Sequence, residues 1–369
     1  MAVYGPVFYG EQPVFFHFLT KHCAQLFRKT HVSSISMYYT LIFSLVAVIG
    51  TPCGAISVET DRNNLIVAET VQDAFAEYVK LYEKQYSAAE YKIRQQAFKM
   101  SLERIRRANE QRKHADSAVY GVTRFSDMTP VEFGQLLTAA PNKLVSVFSS
   151  SNLSYPPKMD WREHKVVTPV RNQLNCGACW AFSTIESIET MNALKTGTLT
   201  ELSVQQMIDC SNSSNRGCNG GDTCTALEWL KSQRIQLVES SVYPFTATDV
   251  GPCKKPKSSV KVTLRGYTCS RFVVNEETML ALIANSGPLV AAVDAAAWQD
   301  YLGGVIQYHC DAGRNHAVQI VGYDTTAQIP YYIVRNSWGT GFGNDGYLYI
   351  AIGKNLCGIA EEVSTVTVM

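Results

Sequence analysis

One short stretch, residues 173–183, constrains the fold of this 369-residue chain more than any other. It places Cys179 at the start of a run whose apolar positions recur three or four residues apart, as on one face of a helix. Those apolar positions are Ala181, Ile185, Ile188 and Met191. Gly177 allows a tight approach into the first turn, and Gly197 fits the end of the helix. A thiol at a helix N-terminus has a lowered pKa and readily forms the nucleophilic thiolate. The alternative is a buried or disulfide-bonded structural cysteine.

Two further motifs lie far downstream of this cysteine. His316, within Asn-His-Ala, follows Cys179 by 137 residues, and Asn336, within Asn-Ser-Trp-Gly, follows 20 residues later. This order and separation match the signature of papain-type enzymes. Over roughly residues 70–369 the chain resembles the papain family of cysteine peptidases. The resemblance implies an α+β, two-lobed fold with a helical lobe and a β-barrel-like lobe, preceded by a helical inhibitory propeptide.

The resemblance assigns a chemical role to each of five residues. Cys179 is expected to be the nucleophile, and His316 to stabilise the thiolate and then protonate the leaving amine. Asn336 is expected to accept a hydrogen bond from the other ring nitrogen and so to fix the tautomer. Trp338 is expected to cover that bond, and Gln173 to form the oxyanion hole with the Cys179 backbone N–H. For His316 and Trp338 the alternatives are a structural hydrogen bond and plain core packing.

A second part of the substrate cleft is expected at Asn219, Gly220 and Gly221. Glycines let an extended substrate approach the backbone closely, so β-type pairing with a peptide is expected here. The alternative is an ordinary tight turn. Because no His-bearing insertion follows Gly221, the resemblance favours an endopeptidase over an enzyme that trims carboxy ends.

By resemblance, a specificity pocket receives the second residue before the cleaved bond. The positions that match this pocket are Thr223, Ala292, Ala317 and Glu362. Glu362 is the fifth residue after Cys357, where relatives with a basic preference also carry Glu. We therefore expect the pocket to accept Arg or Lys as well as bulky apolar residues. The alternative is that Glu362 points to solvent, as its neighbour Glu361 should.

The N-terminal region is expected to carry an export signal. Residues 1–55 are predicted to be an upstream segment and signal peptide, because an apolar run over residues 41–50 precedes small residues at 53–55. The run is shorter than the about 20 residues of a membrane span, so no stable span is expected. We expect the working start at Met37. The alternative is a long signal with a basic leader, or a signal anchor.

Residues 56–154 are predicted to be a propeptide, with an inhibitory helical domain at about residues 70–130. Residues 70–115 are charge-rich and helical in pattern, and one series of positions falls on a single helix face. That series is Glu90, Arg94, Phe98, Ser101, Ile105 and Asn109. It resembles the propeptide of papain-like zymogens, with Ser101 where that family usually has Asn. Further on, Gly121, Thr123, Phe125 and Asp127 resemble the second propeptide motif, with Thr123 in place of another Asn. The alternative is a solvated helix with a few core contacts.

Residues 155–369 are predicted to be the mature peptidase domain. Residues 135–155, just before it, lack periodicity and suit an exposed connector for proteolytic release. The first half of the mature part is helix-rich, with a capped helix start at Ser203 and Gln206. The second half is strand-rich, and this order of elements implies an α+β fold. The predicted strands are 289–293, 316–323, 331–335 and 346–352.

The mature part holds nine cysteines. The resemblance pairs Cys176 with Cys218, Cys210 with Cys253, and Cys310 with Cys357. Cys224 and Cys269 stay unassigned, as a fourth bridge or as free thiols. Two Asn-X-Ser glycosylation sequons begin at Asn152 and Asn212.

Composition narrows the partners and the compartment. A net charge of +1 argues against nucleic acid as the main target. Eleven cysteines together with an export signal suggest an oxidising compartment, so delivery to lysosomes or secretion is expected. The expected partners are peptide and protein substrates, the chain's own propeptide and cystatin-like inhibitors. No metal or organic cofactor is expected.

Two rival functions compete with the peptidase interpretation. Cys176 and Cys179 form a C-x-x-C, as in redox proteins or half a zinc site. Against this, no preceding βαβ pattern and no second close Cys/His pair is found. The other rival is a catalytically silent homologue, or a peptidase inhibitor that acts through its propeptide-like module. Such a protein would be expected to lack one of the catalytic residues, and all four are present.

Overall fold

The computed structural model describes residues 55–62, 64–138, 146–147, 154–211, 214–249, 251–308, 310 and 313–369. The predicted signal peptide up to residue 54, most of the predicted connector, and both sequons, at Asn152 and Asn212, lie outside these ranges. The chain divides into two compact units. The described part of the first is residues 55–57 and Ile66–Leu81, and the second contains Val58–Leu65 and Tyr82–Met369.

The first unit is built on helix α1 (Val71–Leu81). Strands β1 (Ile56–Glu59) and β2 (Leu65–Ala68) precede this helix, and the boundary between the two units falls within both strands. The buried face of α1 carries Phe75 and Tyr78, whose rings stack with centroids 5.8 Å apart. This helix therefore has the amphipathic character that its sequence pattern predicts.

In the second unit, helix α2 (Ala88–Glu110) turns its predicted face inward. The buried residues of the predicted series are Phe98, Ser101 and Ile105. Ser87 caps the helix by accepting a hydrogen bond from the backbone N–H of Glu90. The prediction of one helical stretch over residues 70–115 is wrong in detail. Residues 82–87 are not helical, and Glu83 has a φ of 53°, which a helix cannot accommodate.

The remainder of this N-terminal segment, defined here as residues 82–138, reaches the strands of the C-terminal half. Strand β3 (Val119–Tyr120) pairs antiparallel with strand β9 (Tyr301–Gly303). The short helix α3 (Pro130–Gly134) follows and is capped by a reciprocal pair of hydrogen bonds between Thr129 and Glu132. Backbone pairing thus fixes the N-terminal segment against the rest of the unit.

Among the residues described after position 154, four more segments are α-helical. They are α4 (Cys179–Thr196), α5 (Val204–Cys210), α6 (Thr223–Ser232) and α7 (Glu277–Ser286). Helix α4 is buried along most of its length and ends at Gly197, whose φ of 74° favours glycine. Ser203 caps α5 by accepting a hydrogen bond from the Gln206 N–H at 2.9 Å, as predicted. Apolar residues of α4, α5 and α6 form one core with residues of two long strands.

Two buried glutamates on α4 are held by arginines. Arg171 Nη1 lies 3.0 Å from Glu189 Oε1, and Arg335 Nη2 lies 3.3 Å from Glu186 Oε1. Buried charges are tolerated when they are paired in this way. The network fixes α4, and with it Cys179, relative to the strand that carries Arg335.

Most of the described strands form one ten-stranded sheet. Its members are β4 (Ser146–Val147), β5 (Lys158–Asp160), β6 (Gln236–Leu237), β7 (Val262–Arg271), β8 (Leu289–Val293), β10 (Val305–Ile306), β11 (His316–Asp324), β12 (Tyr331–Arg335), β13 (Tyr347–Ala351) and β14 (Val363–Val368). The spatial order is β10-β13-β12-β11-β8-β14-β7-β4, with β5 on β11 and β6 on β7. The pairs are antiparallel except β10–β13 and β4–β7.

The elements confirm the predicted α+β class. The four strands predicted in the second half are β8, β11, β12 and β13, with ends that differ by at most two residues. The long strands β7 and β14 were not predicted, although apolar and polar residues alternate over residues 262–265 and 365–368. Within the described ranges, no helix has both the length and the apolar content that a bilayer crossing needs.

Four disulfides link the described cysteines. The pairs are Cys176–Cys218, Cys210–Cys253, Cys224–Cys269 and Cys310–Cys357. Three of these pairs are those that the resemblance implied, and the fourth joins the two cysteines that were left unassigned. Cys179 is the free cysteine among the described residues, and it is buried.

Candidate active site

Cys179 is the first residue of α4, so its thiol lies at the helix N-terminus. The loop before it is fixed from two directions. The Gly177 N–H donates a hydrogen bond to the Cys218 carbonyl at 2.8 Å, and Cys176 is bonded to Cys218. Because Cys176 is held in this bridge, Cys176 and Cys179 do not form a redox pair or a zinc half-site. The backbone therefore places one free thiol at the positive end of a helix.

His316 begins strand β11 and is completely buried. Its Nε2 lies 2.8 Å from Asn336 Oδ1, so the two side chains share a hydrogen bond. Its Nδ1 has no hydrogen-bond partner among the described residues. The backbone N–H of the next residue, Ala317, donates toward the Cys179 thiol. Helix α4 and strand β11 thus bring the cysteine and the histidine to one place, although they are far apart in sequence.

Trp338 covers the histidine. Its ring centroid lies 4.9 Å from that of His316, and the two planes are inclined by 35°. Phe125 and Phe133 of the N-terminal segment also pack against Trp338. Their ring centroids lie 5.5 and 5.4 Å from that of the indole. The indole excludes water from the hydrogen bond between His316 and Asn336, which strengthens that bond.

Gln173 lies in the loop before α4 and holds a carbonyl of the N-terminal segment. Its Nε2 donates hydrogen bonds to the Leu136 carbonyl at 3.3 Å and to the Cys176 carbonyl at 3.1 Å. Its Oε1 accepts a hydrogen bond from Ser337 Oγ at 2.6 Å, which orients the amide. An amide that binds a main-chain carbonyl next to a thiol has the arrangement of an oxyanion-hole donor.

Thr138 lies directly over the glycines of the expected cleft. Its Oγ1 donates a hydrogen bond to the Gly177 carbonyl at 2.7 Å, and its backbone N–H points toward the Cys179 thiol. A Cβ at Gly177 would lie 2.2 Å from Thr138 Oγ1, and a Cβ at Gly220 would lie 2.2 Å from the Thr138 carbonyl oxygen. Gly220 therefore allows another main chain to approach closely, whereas Gly177 leaves room for the Thr138 side chain.

The neighbours of Gly220 are held more tightly than an open loop would be. A Cβ at Gly221 would lie 2.5 Å from Asn215 Oδ1 and 2.7 Å from the Trp180 ring. The exposed Asn219 side chain donates a hydrogen bond to Asp249 Oδ2 at 3.1 Å. The wall of the cleft is thus preorganised, and little of it has to be ordered when a peptide binds.

Burial reverses the charge states that were expected for the two reactive groups. Loss of hydration raises the pKa of the Cys179 thiol to about 11, against the smaller lowering by nearby backbone N–H groups. Burial lowers the pKa of His316 to about 4, against the opposing hydrogen bond with Asn336. Both groups are therefore neutral at pH 7. The prediction of a lowered thiol pKa is wrong for this covered site, because burial outweighs the helix dipole.

The N-terminal segment is also anchored by the buried carboxylate of Asp300. Arg104 Nε lies 2.6 Å from Asp300 Oδ2, and Ser126 Oγ donates a hydrogen bond to Asp300 Oδ1 at 3.1 Å. Thr123 Oγ1 donates to the Gln299 carbonyl at 2.7 Å, and Ser101 Oγ donates to the Ser126 carbonyl at 2.8 Å. The hydroxyls that stand where the family usually has Asn therefore retain buried polar contacts.

The residues that match the specificity pocket lie together. Ala292 and Ala317 are direct partners on the adjacent strands β8 and β11. Thr223 Oγ1 lies 3.5 Å from Glu362 Oε1, and the Ala292 N–H donates to the Glu362 carbonyl at 3.0 Å. Because Ala317 also contacts the thiol through its N–H, this group of residues borders the candidate active site.

Glu362 is not exposed to solvent, so the alternative of a solvent-facing side chain is wrong. Only 1% of its side chain is exposed, and its Oε2 lies 2.9 Å from Arg314 Nη1. Glu361, expected to face solvent, is partly buried and pairs with Arg271 at 2.8 Å. Arg314 was missed by sequence reasoning because it lies 48 residues from Glu362, and no local pattern links them.

One group of acidic and sulfur atoms could be mistaken for a metal centre. Ligand atoms of Asp222, Cys224 and Glu362 lie within 4.8 Å of one another. The Cys224 sulfur is bonded to Cys269, and Asp222 Oδ1 caps α6 through the Thr225 N–H at 2.7 Å. A disulfide sulfur is not the thiolate that a metal binds, so this group does not fit a metal site.

Comparison with known proteins agrees with this geometry. Residues 155–367 match the family described as papain family cysteine protease, and residues 75–133 match the cathepsin propeptide inhibitor domain (I29). Human cathepsin O is 46% identical over 281 residues, which cover 74% of this chain and 87% of that protein. The mouse protein of the same name is 43% identical over 280 residues, covering 74% of this chain and 89% of its own length.

Solved structures of precursors share the fold. Digestive procathepsin L2 of Tenebrio molitor is 32% identical, with a TM-score of 0.72, covering 81% of this chain and 100% of that one. A recombinant stem bromelain precursor is 33% identical, with a TM-score of 0.71, covering 80% and 98%. The helices, the sheet and the covering segment therefore belong to a papain-like α+β fold. With the family match over more than half of its length, the chain belongs to the papain family of cysteine proteases.

Proposed function

We propose that this protein is an endopeptidase made as an autoinhibited zymogen, with Cys179 as its nucleophile. The observation that carries the proposal is the buried His316, whose Nε2 is engaged by Asn336 while its Nδ1 has no partner among the described residues. A histidine held in this way beside a free thiol is arranged to exchange a proton with that thiol. The Gln173 amide, already bound to a main-chain carbonyl, supports the choice of a peptide substrate.

The proposed reaction begins once the propeptide has left the cleft. The Cys179 proton passes to His316 Nδ1, and the thiolate attacks the scissile carbonyl carbon. The Gln173 amide and the Cys179 backbone N–H stabilise the oxyanion that forms. The imidazolium then protonates the leaving amine, which gives an acyl-enzyme and a new amino terminus. Water, deprotonated by His316, hydrolyses the thioester and restores the thiol.

The contacts of the N-terminal segment support its role as an intramolecular inhibitor. Leu136 supplies the carbonyl that Gln173 binds, and Thr138 lies over Gly177 and Gly220, where a substrate main chain would lie. We propose that residues 56–154 are the propeptide, with the inhibitory domain at about 70–130, and that residues 155–369 are the mature enzyme. Release of the propeptide then exposes both the nucleophile and the oxyanion donor.

The remaining parts of the proposal concern the cell. Residues 1–55 would direct export, with Met37 as the working start, and Asn152 and Asn212 would carry glycans. Four disulfides support an oxidising compartment, either the lysosome or the extracellular space. There the enzyme would hydrolyse proteins, and cystatin-like inhibitors that fill the cleft would block it.

Active-site labelling tests the proposed chemistry. The processed protein is treated with an epoxysuccinyl thiol-protease inhibitor, and the modified residue is mapped by mass spectrometry. We expect one label, on Cys179, together with loss of hydrolysis of a peptide substrate. Cys179→Ala should abolish both labelling and hydrolysis while the propeptide still binds. Retained turnover in that variant would remove Cys179 from the mechanism. Absence of turnover and labelling in the processed wild type would instead favour the silent homologue.

A further inference from the structure

We propose that Arg314 is a specificity-determining residue that makes the pocket beside Glu362 select apolar side chains and reject basic ones. This inference rests on the proposed peptidase function and concerns the second substrate residue before the cleaved bond. It reverses part of the sequence expectation, which took Glu362 as a free acid able to bind Arg or Lys. In the structure that acid forms an ion pair with an arginine of the same chain.

The geometry leaves little of the Glu362 carboxylate for a ligand. Oε2 lies 2.9 Å from Arg314 Nη1, and Oε1 lies 3.5 Å from Thr223 Oγ1. The carboxylate is almost fully buried, while 24% of the Arg314 side chain is exposed. A charged hydrogen bond formed within one chain benefits from a high effective concentration. A substrate cation would therefore have to displace Arg314 or approach close to its guanidinium, and like charges repel.

Arg314 is placed by a rigid backbone. The next residue, Asn315, donates its backbone N–H to the Val293 carbonyl at 2.9 Å. The Asn315 side chain accepts a hydrogen bond from the Ala295 N–H at 2.9 Å and donates one to Asp294 Oδ1 at 2.7 Å. These three bonds fix the chain just before His316, so Arg314 is presented to Glu362 by the same segment that positions the catalytic histidine.

The other groups around Glu362 add little attraction for a cation. Ala292 and Ala317 are apolar, and Thr223 is uncharged. Asp222, whose carboxylate lies near that of Glu362, accepts hydrogen bonds at 2.7 Å from both the N–H and the Oγ1 of Thr225. Its charge is thus offset at the N-terminus of α6. With Arg314 in place, these residues favour an apolar side chain over a basic one.

Substrate pairs test the inference in the processed enzyme. The specificity constants, kcat/KM, are compared for peptides that differ only in Leu, Arg or Glu at the second position before the cleaved bond. We expect the wild type to prefer Leu to Arg. Arg314→Gln uncovers the acid and should raise the Arg/Leu ratio about tenfold or more, where each tenfold is about 1.4 kcal/mol. Arg314→Lys is the matched control that keeps the charge, and it should stay close to the wild-type ratio.

A reciprocal variant gives an independent result. Glu362→Gln removes the negative charge that lies 2.9 Å from Arg314, so it should raise the Glu/Leu ratio about tenfold. The double variant Arg314→Gln with Glu362→Gln should lose both gains. Thermal melting checks that each variant is folded. If Arg314→Gln does not fold, the Glu/Leu ratio of Glu362→Gln decides.

Three outcomes would overturn the inference. They are a wild type that prefers Arg to Leu, an Arg/Leu ratio unchanged in folded Arg314→Gln, and a Glu/Leu ratio unchanged in Glu362→Gln. Failure of the proposed function has a different signature, because no peptide would then be cleaved and Cys179 would not be labelled. The two failures can thus be distinguished in the same set of measurements.

Discussion

Arg104 offers a direct test of how the propeptide is held on the enzyme. Its Nε lies 2.6 Å from Asp300 Oδ2, and its Nη2 donates a hydrogen bond to Ser101 Oγ at 2.8 Å. Only 3% of the Asp300 side chain is exposed, and burial raises the pKa of its carboxyl despite the guanidinium. Arg104→Met keeps much of the aliphatic bulk of the side chain but removes the guanidinium. Of the side-chain hydrogen bonds to Asp300 described above, only the one from Ser126 then remains.

The magnitude follows from the loss of a charged hydrogen bond. Such bonds contribute roughly 1.5–3 kcal/mol, so the open fraction of the zymogen should rise about 10- to 150-fold. Arg107→Met is the matched control on the same helix. Arg107 pairs with Glu103 at 2.7 Å, and 70% of its side chain is exposed. Because solvent screens an exposed pair, this control should leave the open fraction nearly unchanged.

The assay measures how fast intact zymogen reacts with an epoxysuccinyl inhibitor at pH 7. The covered Cys179 reacts only while the propeptide is open, so the rate follows the open fraction when opening is faster than labelling. Mass spectrometry counts only full-length chains that carry the inhibitor, which separates opening from processing. Arg104→Met should label much faster than Arg107→Met. Equal rates in the two variants would refute the idea that Asp300 anchors the propeptide through Arg104.

Three further predictions concern other parts of the molecule. Burial lowers the pKa of His316 from 6.5 to about 4, so lowering the pH from 6.5 to 4 should destabilise the zymogen by up to about 3 kcal/mol. Over that pH range, the melting temperature of the Cys179→Ser zymogen should fall more steeply than that of the double variant Cys179→Ser with His316→Gln. Replacing Cys224 and Cys269 together by Ser should lower the free energy of unfolding by about 2–4 kcal/mol in denaturant titrations, and an unchanged value would show that the bridge adds no stability. A Cβ at Gly220 would lie 2.2 Å from the Thr138 carbonyl oxygen, so Gly220→Ala should speed labelling of the zymogen. It should also lower kcat/KM of the processed enzyme, because a substrate main chain would meet the same Cβ. If neither quantity changes, close main-chain approach at this glycine is excluded.

The sequence was sufficient to predict the fold class because the signals are local. The cap at Ser203 and the apolar runs of β8, β11, β12 and β13 depend on neighbouring residues, and the structure contains all of them. Strands β7 and β14 each complete the backbone hydrogen bonds of the other. They pair antiparallel over most of their length. Each has only a short alternation of apolar and polar residues, over 262–265 and 365–368, and that signal was not used to predict them.

The candidate site shows the same division between local motifs and distant contacts. The motifs around Cys179, His316 and Asn336 predicted which residues would meet, and the structure brings them together. Arg314 and Asp300 could not be identified in this way, since their partners lie 48 and 196 residues away. An ion pair between such distant residues depends on the tertiary fold, and a single sequence contains no signal for it.

The ionisation of the site links the inhibitory and the catalytic states. Under the propeptide, the thiol stays protonated below pH about 11 and the imidazole stays neutral above pH about 4. The raised thiol pKa favours the covered state at low and neutral pH, and that contribution is lost only as the pH rises toward 11. The lowered imidazole pKa has the opposite effect on the covered state. Below pH 6.5 the uncovered histidine binds a proton more readily than the covered one, so acid favours the uncovered state. Entry of water removes the main cause of both shifts, so the helix N-terminus can then stabilise a thiolate beside the imidazolium. The propeptide thus fills the cleft, and burial beneath it shifts both pKa values toward the uncharged forms. We therefore expect acid to weaken its hold through His316.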